Sequence, residues 1–142
     1  MRLFVVSITF CAAFASAAAA QATFDPLEAL VGDWQVFDTV KGKMLEDCET
    51  MPQSFRRTFN KYEIDLTVGR EPRVVVYRVL EVSSDAIHMT IDDESRTDDA
   101  GNPVQWWAIF ESRDVFRWWR TDWAPGARTD GEWRRCTPPN IS

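Results

Sequence analysis

Residues 105–120 read QWWAIFESRDVFRWWR. Two adjacent tryptophan pairs flank a polar step at Ser112-Arg113, and both flanks alternate as the two strands of one hairpin. A two-residue turn at Ser112-Arg113 sets Phe110 opposite Val115, Trp107 opposite Trp118 and Trp106 opposite Trp119. One face then carries Val104, Trp106, Ala108, Phe110, Val115, Arg117 and Trp119. It holds fewer charges and is expected to point inward. The other carries Gln105, Trp107, Ile109, Glu111, Asp114, Phe116, Trp118 and Arg120, and is expected outside with a cross-strand Trp107/Trp118 pair. One tryptophan of each pair then fills a core. The other forms an aromatic strip with a polar rim, as partner and ligand surfaces do, or packs beneath the 123–131 loop.

The same pattern extends along the chain. Short β-branched and aromatic runs at 33–40, 52–59, 62–68, 73–82, 86–94, 104–111, 114–122 and 132–136 are separated by turn chemistry such as KGK, GREP and SRTDDAGNP. Tyr62, Ile64, Leu66 and Val68 share one side of their strand, and Ile87, Met89 and Ile91 share one side of theirs. The run 73–82 is apolar on both faces and assigns neither. Ahead of the strands, Asp25 suits a helix N-cap, Pro26 the first helical position and Gly32 the stop. The resulting helix of one or two turns offers Leu27, Leu30 and Val31. The predicted fold class is all-β: an eight-stranded antiparallel up-and-down barrel with a short N-terminal helix. Closure removes unprotected edges, which favours the barrel over a two-sheet sandwich.

The start of the chain, MRLFVVSITFCAAFASAAAAQA, has one basic residue, an apolar run and a tract of small residues. That is the pattern of a secretory signal peptide over 1–22, cleaved after Ala20 or Ala22. It leaves one domain over 23–142 and places the protein in the periplasm or outside the cell. The apolar run is too short and alanine-rich for a retained anchor, and no other segment suits a membrane span. Losing Arg2 moves the formal charge from −6 to −7, a surface that repels nucleic acid and anionic lipid. Losing Cys11 leaves Cys48 and Cys136, an even count that reads as a disulfide in an exported protein.

The segment LVGDWQVFD, with Gly32 and Trp34 entering the first strand after a helical turn, resembles the lipocalin-like (calycin) barrels. The resemblance implies that Trp34 closes the narrow end and that an arginine of the last strand, Arg134 or Arg135, packs on its ring. TDW at 121–123 is similar to that family's Thr-Asp-Tyr segment. With no catalytic or cofactor motif in the chain, the expected role is binding without enzymatic activity, of a small apolar or amphipathic ligand, ahead of a hydrolase using carboxylates and His88. A second resemblance, of GDWQVFDTVKGKMLEDC, is to the exported bacterial metalloprotease inhibitors, also small barrels with a downstream cysteine.

Arg57 alternates with Phe55 and Phe59, and Arg117 lies on the expected inner hairpin face. A guanidinium in an aromatic cavity anchors an anionic head group, so Arg57, Trp106, Arg117 and Trp119 are the candidate ligand-binding residues. The alternative is a structural arginine stacked on tryptophan and paired with Asp38. Trp107 and Trp118 are the candidate partner-binding residues. His88 falls on an outward face with no evident nucleophile. DDESRTDDAGN (92–102) lacks calcium-loop spacing and reads as a solvated hairpin tip, so no metal site is expected. A barrel of this size holds side chains or one small ligand. An open lumen favours the ligand; a packed lumen with an exposed tryptophan strip favours a protein partner.

Overall fold

The computed structural model describes residues 24–58, 63–68, 74–124, 127, 129 and 131–137. The leader-like stretch 1–22, Phe59 and Tyr62 lie outside the described residues.

Helix α1 (Pro26–Leu30) starts where the cap chemistry puts it: the Asp25 carboxylate accepts the Leu27 backbone N–H at 2.9 Å, and Pro26 takes the first turn. Val31 is already extended, and Gly32 follows at φ +137°, so the chain passes from one helical turn directly into a strand. The strands are β1 (Gly32–Asp38), β2 (Lys43–Glu46), β3 (Gln53–Arg57), β4 (Glu63–Val68), β5 (Val74–Val82), β6 (Ala86–Ile91), β7 (Trp106–Ser112), β8 (Val115–Arg120) and β9 (Gly131–Arg135). Antiparallel pairing runs β1-β3-β4-β5-β6-β7-β8-β9, and β9 returns to β1, with Trp34 opposite Arg135 and Asp38 opposite Gly131. The result is a closed eight-stranded antiparallel barrel, as the run of short strands predicts. The extra strand β2 pairs with the far end of β1.

Strand β2 is missing from the sequence reading, which treats KGK as a plain turn. Asp38 explains the hairpin. Its side chain is buried, accepts the backbone N–H groups of Lys41 (2.8 Å) and Val40 (3.0 Å), and pairs with the Lys41 ammonium. The Lys41 N–H first of all holds this carboxyl below its ordinary range. Asp38 is therefore a turn-former and not the partner of an inner arginine.

The tryptophan hairpin has a different register from the expected one. Its two-residue loop is Arg113-Asp114, Ser112 faces Val115, and a bulge at Glu111 follows. Phe110 then meets Phe116, Ala108 meets Trp118 and Trp107 meets Trp119. The net slip is one residue, which turns every side chain of β8 to the opposite face. Phe116 and Trp118 point inward and are buried, whereas Arg117 and Trp119 point outward. The β7 assignment holds: Ala108 and Phe110 are buried and Ile109 is exposed.

The lumen is filled with rings. Trp34, Phe55 and Phe116 have no exposure, with Phe116 edge-on to Trp34 at 4.8 Å and 6.1 Å from Phe55. Trp118 stacks parallel to Tyr77 at 5.4 Å and meets Phe116 edge-on at 5.3 Å, and Trp133 closes the group. Edge-to-face packing lets so many rings share one small core. Cys48 and Cys136 are joined across 88 residues of chain, tying the turn after β2 to the segment after β9.

Candidate functional site

The two barrel ends differ. At the floor, α1 lies across the opening, and Arg135 clamps it. Its guanidinium sits 4.4 Å over the Trp34 ring, donates to the carbonyls of Val31 (3.0 Å) and Ala29, and bonds the Asp114 carboxylate at 2.7 Å. The Trp34 indole N–H donates to Leu30 O at 2.8 Å. A Cβ on Gly32 would stand 2.6 Å from Arg135 Nη1, so only glycine admits this close approach. Of the two arginines left open by the sequence, Arg135 takes Trp34, and Arg134 lies 3.9 Å over Phe37 on the outside.

The mouth is built by β5, the end of β6, the loop 92–105 and the segment after β8. Trp106 opens β7 on the inner face. Its ring has the Arg96 guanidinium at 5.0 Å and the Arg120 guanidinium at 5.2 Å, and its N–H donates to Glu94 Oε2 at 3.2 Å. Arg96 grips both oxygens of Glu94 at 2.7 Å, and Arg120 grips both of Asp122 while reaching 4.8 Å over Trp123. The Glu94 side chain is almost enclosed. Hydrogen bonds from Arg96 above all, with its backbone N–H and the Trp106 N–H, overcome the burial penalty and hold this carboxyl at about 2.

Between β5 and the 91–96 segment lies a cleft of about 640 Å³, its apolar wall formed by Val75, Tyr77, Ile91 and Trp106. Tyr77 is only 4 % exposed, and burial raises its phenol above the ordinary range. Its hydroxyl makes no hydrogen bond among the described residues. A larger hollow of about 790 Å³ lies at the floor, between α1 and the turns after β5 and β7. Its lining combines the carboxylates Asp25, Glu28, Asp85 and Glu111 with Phe24 and the core residues Ala29 and Phe110. Both hollows reach core side chains, and the mouth cleft is the better candidate because its lining includes Tyr77, a core ring whose hydroxyl has no protein partner among the described residues.

The structure does not gather the ligand-binding set expected from sequence. Trp106 alone reaches the cleft. Arg57 is at the floor, ion-paired with Glu28 of α1. Arg117 is outside, between Glu111 (2.7 Å) and Glu132 (2.6 Å), with neither a lumen position nor a contact to Asp38. Trp119 is outside because of the register slip. The expected Trp107/Trp118 pair is split by the barrel wall. In its place, β5 to β8 carry an outward row in register: Glu81, His88, Trp107 and Trp119. His88 lies flat on Trp107, 4.1 Å between rings, and its Nε2 is 2.7 Å from Gln105 Oε1.

Tyr77, Glu94 and Arg96 are not singled out by the sequence, Ile91 is placed there only on a strand face, and Arg120 is expected on the outer hairpin face but lies opposite Trp106 at the mouth. The one available signal is Glu94-Ser-Arg96, a carboxylate and a guanidinium two apart beside a tryptophan-rich strand. Among the described residues no group of His, Cys, Asp and Glu is arranged to hold a metal ion, and no helix is long and apolar enough to cross a membrane. No protein-family profile, curated protein or solved structure matches the chain.

Proposed function

We propose that this chain is an exported, non-enzymatic, lipocalin-like binding protein that takes a small amphipathic molecule in the cleft at its mouth. The observation that carries the reading is the cleft itself: a hollow of small-molecule size with an apolar wall of Val75, Tyr77, Ile91 and Trp106, a charged rim of residues 92–96, and Tyr77 leading into a core that rings have filled. A lumen closed by Trp34, Phe55 and Phe116 leaves the rim as the place for a ligand. The Gly32–Trp34–Arg135 clamp supports the family resemblance. The leader-like start and the Cys48–Cys136 bond support export. His88, stacked on Trp107 and engaged by Gln105, has the surroundings of a surface side chain and not of a general base.

The test is mass spectrometry of small molecules released by denaturing protein purified from its native host. An amphipathic compound at about one equivalent, lost when Trp106 is replaced by alanine, is the expected result. Release of nothing from protein that retains its fold contradicts the reading.

The filled lumen and the outward row of Glu81, His88, Trp107 and Trp119 are the combination that the sequence analysis associates with a protein partner, and they support a second reading, a partner held against the barrel wall. Protease inhibition is one form of it. On that reading Trp107→Ser together with Trp119→Ser abolishes the interaction and leaves ligand binding intact.

A further inference from the structure

We propose that the Tyr77 hydroxyl is the anchoring donor of the mouth cleft, and that the cleft selects a neutral amphiphile carrying a carbonyl, ether or hydroxyl oxygen. The inference rests on the ligand-binding reading and adds to it the chemistry of the ligand.

The first ground is Tyr77. Its ring is held on three sides: parallel to Trp118 at 5.4 Å, tilted against Phe55 at 6.3 Å, and opposite Ile91 across the β5–β6 pair. With 4 % exposure it is a core side chain, yet its one polar atom donates to nothing and accepts nothing among the described residues. No fully enclosed side-chain nitrogen or oxygen lacks a partner among them. The hydroxyl must therefore touch the open cleft that Tyr77 lines. Phenylalanine fills the same space without presenting a hydroxyl to the cleft. A polar atom kept at the end of a packed ring is explained when something comes to it. Burial keeps the phenol protonated at neutral pH, so it offers a proton to an acceptor.

The second ground is charge. Among the described residues the cleft is lined by three carboxylates, Asp92, Asp93 and Glu94, against one guanidinium, Arg96. Arg96 is spent on both oxygens of Glu94. Arg78 reaches Asp92 from β5 in the same forked way, at 2.6 and 2.7 Å. Asp93, at φ +61°, has no ion pair among the described residues. An anionic head group would enter an acidic rim whose described cations, Arg78 and Arg96, are already paired, and would leave water without a new partner among the described residues. A neutral acceptor meets no such penalty. The arginine-anchored anion expected from sequence is thus the wrong class of ligand for this cleft.

The test uses three probes of like shape: acetylnaphthalene, a neutral acceptor; naphthoate, an anion; and isopropylnaphthalene, which has no acceptor. Each is dialysed to equilibrium against the full chain and against the Tyr77→Phe and Asp93→Asn variants. Acetylnaphthalene is expected to bind at one equivalent and to weaken about tenfold in Tyr77→Phe, the loss of one hydrogen bond to a buried donor. Isopropylnaphthalene is expected to bind both equally. Naphthoate is expected to bind at least about tenfold more weakly than acetylnaphthalene and to recover several-fold in Asp93→Asn. Tyr77→Phe is expected to melt no lower than the parent, since it removes an unbonded hydroxyl. Equal acetylnaphthalene affinity in Tyr77→Phe, a lower melting temperature for it, or naphthoate binding as tight as the ketone overturns the proposal while leaving the cleft in use. Failure of all three probes to bind the parent overturns the cleft reading itself.

Discussion

Gly32 and Arg135 show how a single position controls the barrel floor. At φ +137° any side chain strains the backbone, and here a Cβ also strikes Arg135 Nη1. The guanidinium cannot withdraw without leaving the carbonyls of Ala29 and Val31 and the face of Trp34. Gly32→Ala is therefore expected to lower stability by about 2–3 kcal/mol, read as a lower urea midpoint at unchanged slope. The sequence supplies the clamp's parts, Gly-x-Trp and two adjacent arginines, but not the choice between Arg134 and Arg135. That choice depends on β9 register against β1, a contact between opposite ends of the chain.

At the scale of elements, the β7–β8 hairpin is the informative failure. Ser112, Arg113 and Asp114 are all polar, so composition does not say which two form the loop. The bulge at Glu111 then decides the parity of β8. Trp118 and Trp119 test the outcome. Trp118→Ala, which empties a 6 %-exposed core position, is expected to cost about 3–5 kcal/mol, and Trp119→Ala no more than about 1 kcal/mol. Equal costs, or the reverse order, in chemical denaturation restore the sequence-derived register.

The loop after β6 carries its own pH signature. Glu94 titrates at about 2 in the folded chain and near 4.5 when free, so its ion pair contributes stability that is complete above about 4.5 and lost as pH falls toward 2. Glu94→Gln is expected to shrink the acid limb of the stability–pH curve across that window by this group's share, the lowered carboxyls of Asp33, Asp38, Asp47 and Asp98 keeping the remainder. An unchanged acid limb in the variant argues against the Glu94–Arg96–Trp106 cluster. The cleft itself is hidden in the sequence for a related reason. The run 73–82 is apolar on both sides, so alternation does not place Tyr77, and the want of a partner for its hydroxyl appears only when the 91–96 segment folds back beside β5.

The described residues form a closed ring of strands with one covalent tie among them. The eight barrel strands are legible because short alternating runs and turn residues are local signals; β2 is not, being four residues, mostly exposed, held by the Asp38 turn. The tie is legible from the cysteine count once Cys11 is set aside with the expected signal peptide. Closing 88 residues of chain, it contributes about 4–5 kcal/mol in the chain-entropy account. Cys48→Ser with Cys136→Ser is expected to reduce unfolding free energy by that order while β-sheet circular dichroism persists. A double variant as stable as the parent shows that the bond adds nothing to this barrel.

The most direct test of the filled lumen with an occupied rim is an amide and indole N–H chemical-shift map of the full chain as acetylnaphthalene is added. Shifts confined to Val75, Tyr77, Ile91, residues 92–96 and the Trp106 indole, with the Trp34 indole unmoved, are the expected result. Shifts centred on His88, Trp107 and Trp119, or no shifts at all, contradict it.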